Sequence, residues 1–131
     1  MPNFDWVRER INCSPGGVFE QLALDVRTDV DTMNSQRKPN DQTKIEFVRN
    51  HNRFSVALLP SNAAFPPINF SIAGEVIRVE NGSSIDLTAT LTLSDAGECR
   101  LRVHGAEKEQ WQFRRMALEE LFFNSSFLRR D

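Results

Sequence analysis

The hydrophobic positions in the first quarter of the chain follow a helical period. Phe4, Val7 and Ile11 fall on one side of a helix, so the sequence predicts a short helix that these residues span. A second, longer helix is predicted from a serine-proline start at Ser14, where the serine is the N-cap, to about Asn34. The apolar face of this second helix is formed by residues at three- to four-residue spacing: Phe19, Leu22, Val26, Val30 and Met33.

After the polar loop that follows this helix, the hydrophobic period changes to two, which is typical of β-strands. Ile45 and Phe47 alternate with polar neighbours, and Phe54, Val56 and Leu58 do the same a few residues later. The residues between these two runs have a turn-like composition. The pattern therefore predicts a first β-hairpin.

The dipeptide Asn81-Gly82 is of the type preferred in two-residue β-hairpin turns. If these two residues form the loop, the register of the strands on both sides is determined, and Gly74 faces Ala89. Apolar or small side chains then meet along one face of the hairpin, and polar side chains meet along the other. This register predicts a single strand over residues 70–80.

A three-residue turn that ends at Gly97 predicts the next hairpin, which pairs Leu91 with Leu101 on the apolar face. The alternation then carries Arg100 and Arg102 onto the polar face, beside a run of threonines. Both faces of the sheet are thereby assigned from sequence.

The end of the chain is predicted to contain one more strand and a closing helix. Trp111 and Phe113 are assigned to the strand, with residues 106–108 as the loop before it. The helix that follows has an apolar side that includes Leu118, and it ends near Asn124.

These elements predict an α+β fold class. The expected architecture is an antiparallel β-meander of five or six strands, with an N-terminal and a C-terminal helix packed on one face. The length of 131 residues suits one domain that spans residues 1–131.

Composition and charge argue against several classes of partner. The 16 basic and 18 acidic side chains leave a formal net charge of -2, so we expect no nucleic-acid partner and no attraction to anionic lipid. No apolar run approaches the roughly 18 residues of a membrane span, and the first residues lack the pattern of a secretion signal. We therefore expect a soluble, cytoplasmic protein.

The chain contains two cysteines, Cys13 and Cys99, which are far apart and lack CxxC spacing. In a cytoplasmic protein they are expected to be reduced and buried. His51 and His104 are the only imidazoles available as metal ligands, so we expect no metal site, and no motif indicates a cofactor.

The motifs of phosphate loops, dinucleotide sites, serine hydrolases and zinc proteases are absent from the sequence. We therefore assign no catalytic residue in the leading interpretation. An alternative comes from the predicted register, which places Glu75, Thr88 and His104 in one row across three strands. A carboxylate that orients an imidazole is a typical general base, so the alternative is a small enzyme that uses His104 with Glu75.

Two groups of residues are candidates for ligand binding. Gly74 opposite Ala89 leaves little bulk in the middle of the apolar face, which either lets a helix approach closely or leaves a pocket with Phe65 at its lip. Arg100 and Arg102 on the polar face are able to bind phosphates or carboxylates, and nucleic-acid binding by this face is a third functional interpretation, but ion pairs across the strands with glutamates are the leading explanation of these arginines.

The leading functional hypothesis is a non-enzymatic binding or interaction module for a protein or a small apolar ligand. It is based on the missing catalytic motifs and on surplus apolar residues at both ends of the chain and in the loop at residues 60–67. The surplus apolar surface also predicts a homodimer or another protein partner.

Overall fold

The structure is a computed structural model that describes residues 4–37 and 42–125 of the chain. The helical elements are α1 (Trp6–Asn12), α2 (Pro15–Ser35), α3 (Gln110–Glu119) and a π-helical turn (Glu120–Asn124). The strands are β1 (Lys44–Asn50), β2 (Arg53–Leu59), β3 (Ile68–Ala73), β4 (Val76–Glu80), β5 (Asp86–Leu93), β6 (Cys99–Val103) and β7 (Ala106–Lys108). The predicted α+β class is confirmed.

The start of α2 agrees with the capping signal in the sequence. The Ser14 hydroxyl accepts a hydrogen bond from the Gly17 N–H at 3.2 Å, and a proline occupies the first turn of α2. The predicted apolar face of α2 is buried, as is Ala23 beside it. In contrast, α1 buries none of its side chains.

The strands form one antiparallel sheet in the order β1-β2-β3-β4-β5-β6-β7, so each strand pairs with its neighbours in sequence. The sheet has seven strands rather than the predicted five or six. One of the additional strands is β7, which occupies residues 106–108 that were predicted to be a loop. Trp111 and Phe113 lie in α3, so the prediction of a strand for these two residues is wrong.

The other change in strand number lies at Gly74, where the predicted single strand turns back on itself. Gly74 has φ +61° and forms a two-residue turn with Glu75, so that Ala73 pairs with Val76. Because of this turn, even-numbered residues of β3 but odd-numbered residues of β4 face the core. Ile77 rather than Gly74 is therefore opposite Ala89. The expected register of this hairpin is therefore wrong.

The side chain of Asn81 explains why Asn81-Gly82 does not form the expected two-residue loop. Its Oδ1 accepts hydrogen bonds from the N–H groups of Ser83 and Ile85, both at 2.9 Å. The loop consequently runs over residues 81–85, and Glu80 pairs with Asp86. The next hairpin has the predicted register, with Leu91 opposite Leu101.

The core lies between one face of the sheet and the helices α2 and α3. Phe54 of β2 is at its centre, with ring centroids of Phe70 at 4.6 Å, Phe19 at 5.1 Å and Phe47 at 5.4 Å. Helix α2 contacts β1, β3 and β4, and α3 contacts α2 and β6. Both helices thus cover the apolar face, as predicted.

Cys13 and Cys99 form a disulfide, so the prediction that both cysteines are reduced is wrong; Cys13 is buried as predicted, whereas Cys99 is exposed. Cys13 lies between α1 and α2, Cys99 begins β6, and their Cα atoms are 5.5 Å apart, within the range that a disulfide spans. Disulfides are rare in cytosolic proteins, so this bridge argues against the cytoplasmic location expected from sequence. No helix in the described part of the chain combines the length and the apolar character needed to cross a membrane.

Candidate functional site

A cleft of about 580 Å³ lies beside the disulfide, and we refer to it as the disulfide cleft. Its walls come from α1, the first half of α2, β6 and the start of α3, with both bridged cysteines among the lining residues. Its apolar lining includes Ile11, Val18 and Leu101. The break between α1 and α2 contains Cys13, and the disulfide therefore lies in the wall of the cleft.

The polar end of the disulfide cleft is centred on the carboxylate of Asp25. Its Oδ1 accepts a hydrogen bond from Gln21 Nε2 at 3.0 Å, and its Oδ2 accepts one from Gln110 Nε2 at 2.8 Å. Gln21 lies one helical turn before Asp25 on α2, whereas Gln110 comes from the first residue of α3. The two amides therefore hold the carboxylate in a defined orientation at the cleft wall.

The electrostatic character of the disulfide cleft is acidic. Glu9 and Asp25 bring two carboxylates, and Arg100 is the one basic residue among the described lining residues. The Arg100 guanidinium is neutralised by an ion pair with Glu98 and by a second with Glu109 at 2.9 Å. The cleft thus favours a neutral or cationic group over an anion.

A second charged contact ties α2 to α3 near the cleft. Arg114 Nη1 donates to both carboxylate oxygens of Asp29, at 2.9 and 2.8 Å, and lies 3.4 Å from the carbonyl oxygen of Asp25. Burial raises the pKa of Asp29 above its ordinary value of 3.8, because burial penalises the charged form. The positive charge of Arg114 opposes this rise only in part.

We expect the carboxyl group of Asp29 to titrate above pH 3.8 in an NMR titration, and its pKa to rise further in Arg114→Met, which removes the opposing charge. Because the folded-state pKa exceeds the unfolded one, this group contributes stability below the unfolded pKa and loses it as the pH rises through the folded pKa. The unfolding free energy of wild type minus that of Asp29→Asn should therefore fall as the pH rises from the unfolded to the folded pKa of Asp29. Asp31→Asn, at an exposed position on the same helix, controls for lost charge. An unchanged or lower pKa of Asp29 in Arg114→Met would contradict this assignment.

The structure does not bring Glu75 and His104 together. Glu75 lies in the turn between β3 and β4, and His104 lies in the turn between β6 and β7. Successive turns of a meander alternate between its two ends, so these two turns are at opposite ends of the sheet. No hydrogen bond or ion pair between described residues joins them, and Thr88 pairs with Arg78 instead. The row that suggested a general base is therefore not formed.

The three residues predicted to surround a pocket under the sheet are also apart. Ala89 is fully buried in the core between Ile77 and Val103, while Gly74 is exposed in its turn. Phe65 is partly buried against the core from the loop before β3. Ile77 occupies the position opposite Ala89 that was expected to lack bulk.

Arg100 and Arg102 lie on the polar face at the predicted positions, opposite Thr92 and Thr90 respectively. Arg102 is 3.8 Å from Glu107 on β7, and Arg100 is held by the two glutamates described above. The Arg102–Glu107 pair is the cross-strand ion pair that was one interpretation of these arginines, whereas the two partners of Arg100 lie in the turn before β6 and at the N-cap of α3.

Gln21, Asp25 and Gln110 form a cluster in the cleft that was not predicted from sequence. Gln21 and Asp25 are four residues apart on the polar side of α2, a spacing at which helix side chains meet, so this pair was accessible from sequence. Gln110 was not, because its contact with Asp25 spans 85 positions and depends on how α3 packs against α2.

Among the described residues, no group of three or more His, Cys, Asp or Glu side chains is arranged to hold a metal ion. Comparison with known proteins adds no further information about the site: the chain matches no family model, no curated protein and no solved structure.

Proposed function

We propose that this protein is a non-enzymatic binding module whose disulfide cleft takes a small amphipathic ligand. The observation that carries the proposal is the cleft itself. Its volume of about 580 Å³ falls within the roughly 300–1,000 Å³ of ligand pockets. Like those pockets, it combines apolar walls with a few oriented polar groups.

The chemistry of the walls supports a particular class of ligand. Ile11 and Val18 offer apolar surface to the body of the ligand, and Asp25 offers a carboxylate whose orientation is set by Gln21 and Gln110. An anionic end group would meet Glu9 and Asp25 with no free cation among the described lining residues to receive it. We therefore expect a neutral or cationic molecule with a hydrogen-bond donor.

We also propose that the protein acts in an oxidising compartment rather than in the cytoplasm. The support for this is that the cleft wall contains the Cys13–Cys99 bridge, and such bridges persist in extracellular and periplasmic spaces.

Two fluorescent probes that share an aromatic body test the ligand class. N-phenylnaphthylamine is neutral, whereas anilinonaphthalene sulfonate carries an added anionic group. We expect saturable fluorescence enhancement with the neutral probe, and binding of the sulfonate at least about tenfold weaker, because carboxylates in a partly desolvated cleft repel an anion.

A filling variant locates the binding. Val18→Phe places additional bulk in the cleft and should reduce the affinity for N-phenylnaphthylamine at least about tenfold. Leu24→Phe adds bulk to an exposed position of the same helix and should leave the affinity unchanged. Equal affinities of these two variants, or equal binding of the two probes by wild type, would overturn the proposal.

A further inference from the structure

The sheet has one long free edge, which is the outer side of β1. Asn34 of α2 pairs with this edge at Ile45: its Nδ2 donates to the Ile45 carbonyl oxygen at 2.8 Å, and its Oδ1 accepts from the Ile45 N–H at 2.9 Å. Both backbone groups of Ile45 therefore point away from β2. Because backbone orientation alternates along a strand, the same is true of Phe47 and Arg49.

The turn between β1 and β2 leads independently to the same orientation. Asn50 and Arg53 close a two-residue turn and form the hydrogen-bonded pair next to it. The odd-numbered positions of β1 then direct their N–H and C=O groups to the free edge. Among the described residues, no hydrogen bond reaches these groups of Phe47 or Arg49. Two donors and two acceptors thus remain available at strand spacing.

We propose that a second copy of this chain pairs with β1 in antiparallel orientation, with Val48 on the twofold axis. Phe47 then exchanges two backbone hydrogen bonds with Arg49 of the partner subunit, and the symmetric pair exchanges two more. The two seven-stranded sheets become one continuous sheet.

This register is preferred because its alternatives meet an obstacle. Moving the axis to Phe47 requires the backbone groups of Ile45, which Asn34 already occupies. Moving it to Arg49 requires Phe47 to pair with the residue at position 51 of the second copy, and this position lies in the β1–β2 turn, where His51 has φ +52° and does not continue the strand. With the axis at Val48, two valines form a non-hydrogen-bonded pair, the type in which side chains are closest.

The surroundings of the edge suit a second strand. Val48 is 47% exposed and offers an apolar β-branched side chain in a strand in which four of the other six residues are polar. The Arg49 guanidinium makes two hydrogen bonds to Glu20, at 3.1 and 2.6 Å, and lies over the Phe19 ring. These contacts with α2 hold the charge of Arg49 away from the free edge. A groove of about 500 Å³ between α2 and β1 leaves room beside the strand. The opposite edge, β7, has only three residues.

Light scattering coupled to size-exclusion chromatography, over a dilution series, tests the proposal. We expect wild type to reach twice the mass of one chain at high concentration. Val48→Lys sets two like charges opposite each other and should raise the dimer dissociation constant at least about tenfold. Leu24→Lys places the same charge on the exposed face of α2 and should leave the dimer unchanged. Far-ultraviolet circular dichroism verifies that both variants fold.

Hydrogen exchange provides a second measurement at residue level. The amides of Phe47 and Arg49 should gain protection as the concentration of wild type rises, and should not do so in Val48→Lys. Three results would overturn the proposal: a monomer at every concentration, a dimer that Val48→Lys leaves intact, or binding of an unrelated extended peptide to a strictly monomeric protein. The Val18→Phe variant should dimerise normally, so this outcome is separate from ligand binding in the disulfide cleft.

Discussion

Replacing Cys13 and Cys99 together by serine should lower the free energy of unfolding by about 4–5 kcal/mol, because the bridge joins residues separated by 86 positions. A cross-link over so long a loop removes much of the conformational freedom of the unfolded chain. Urea unfolding of the double variant against wild type measures the difference. It is a large fraction of the 5–15 kcal/mol that stabilises a typical domain.

Each single serine variant, and wild type in reductant, should lose a similar amount, whereas reductant should not affect the double variant. A double variant as stable as oxidised wild type would show that the bridge contributes little. An alkylating reagent modifies free thiols only. When protein isolated from its native cells is alkylated before any reduction, we therefore expect neither cysteine to be modified, and this result also tests the proposed oxidising compartment.

The loss of the bridge should also have a local effect on α1. This helix buries no side chain, and the disulfide at its C-terminal end joins it covalently to the sheet. We expect the amides of α1 to lose protection from hydrogen exchange at reductant concentrations at which α2 remains protected. The disulfide cleft, which α1 partly walls, should then lose affinity for N-phenylnaphthylamine.

Phe54→Ala should destabilise the protein by about 3–5 kcal/mol, the usual range for removing a fully buried aromatic side chain. Phe54 is 1% exposed and stacks on Phe70 with the ring planes 14° apart, while Phe19 covers it from α2. The substitution therefore leaves a cavity bordered by two strands and a helix. Thermal and urea unfolding measure the loss.

Phe123→Ala is the matched control for this substitution. Phe123 is 61% exposed on the π-helical turn, so its removal should change the unfolding free energy by less than about 1 kcal/mol. Equal effects of the two substitutions would contradict the central position of Phe54 in the core.

Elements with a long amphipathic pattern could be predicted from sequence, because such a pattern depends on local backbone geometry. The five spaced apolar residues of α2 and its Ser14 cap specify the helix and its buried face, as the structure confirms. The hairpin that pairs Leu91 with Leu101 is specified by alternation and a short turn. Errors arose where the signals were short. Two-residue turns are compatible with the sequence at both Gly74 and Asn81, and the observed register follows from the burial of Ile77 and Val79 in the core under α2 together with the side-chain hydrogen bonds of Asn81.

Most of the candidate site could not be predicted from the sequence, for a related reason. The Cys13–Cys99 bridge and the contact of Gln110 with Asp25 join residues more than 80 positions apart, so they depend on how α1 and α3 pack. The sequence by itself determined the fold class, the buried face of α2 and the polar face of β5 and β6, because periodicity and capping act within a few residues. The tertiary structure alone decided the strand number, the disulfide and the cleft, because these follow from the burial of whole elements against one another.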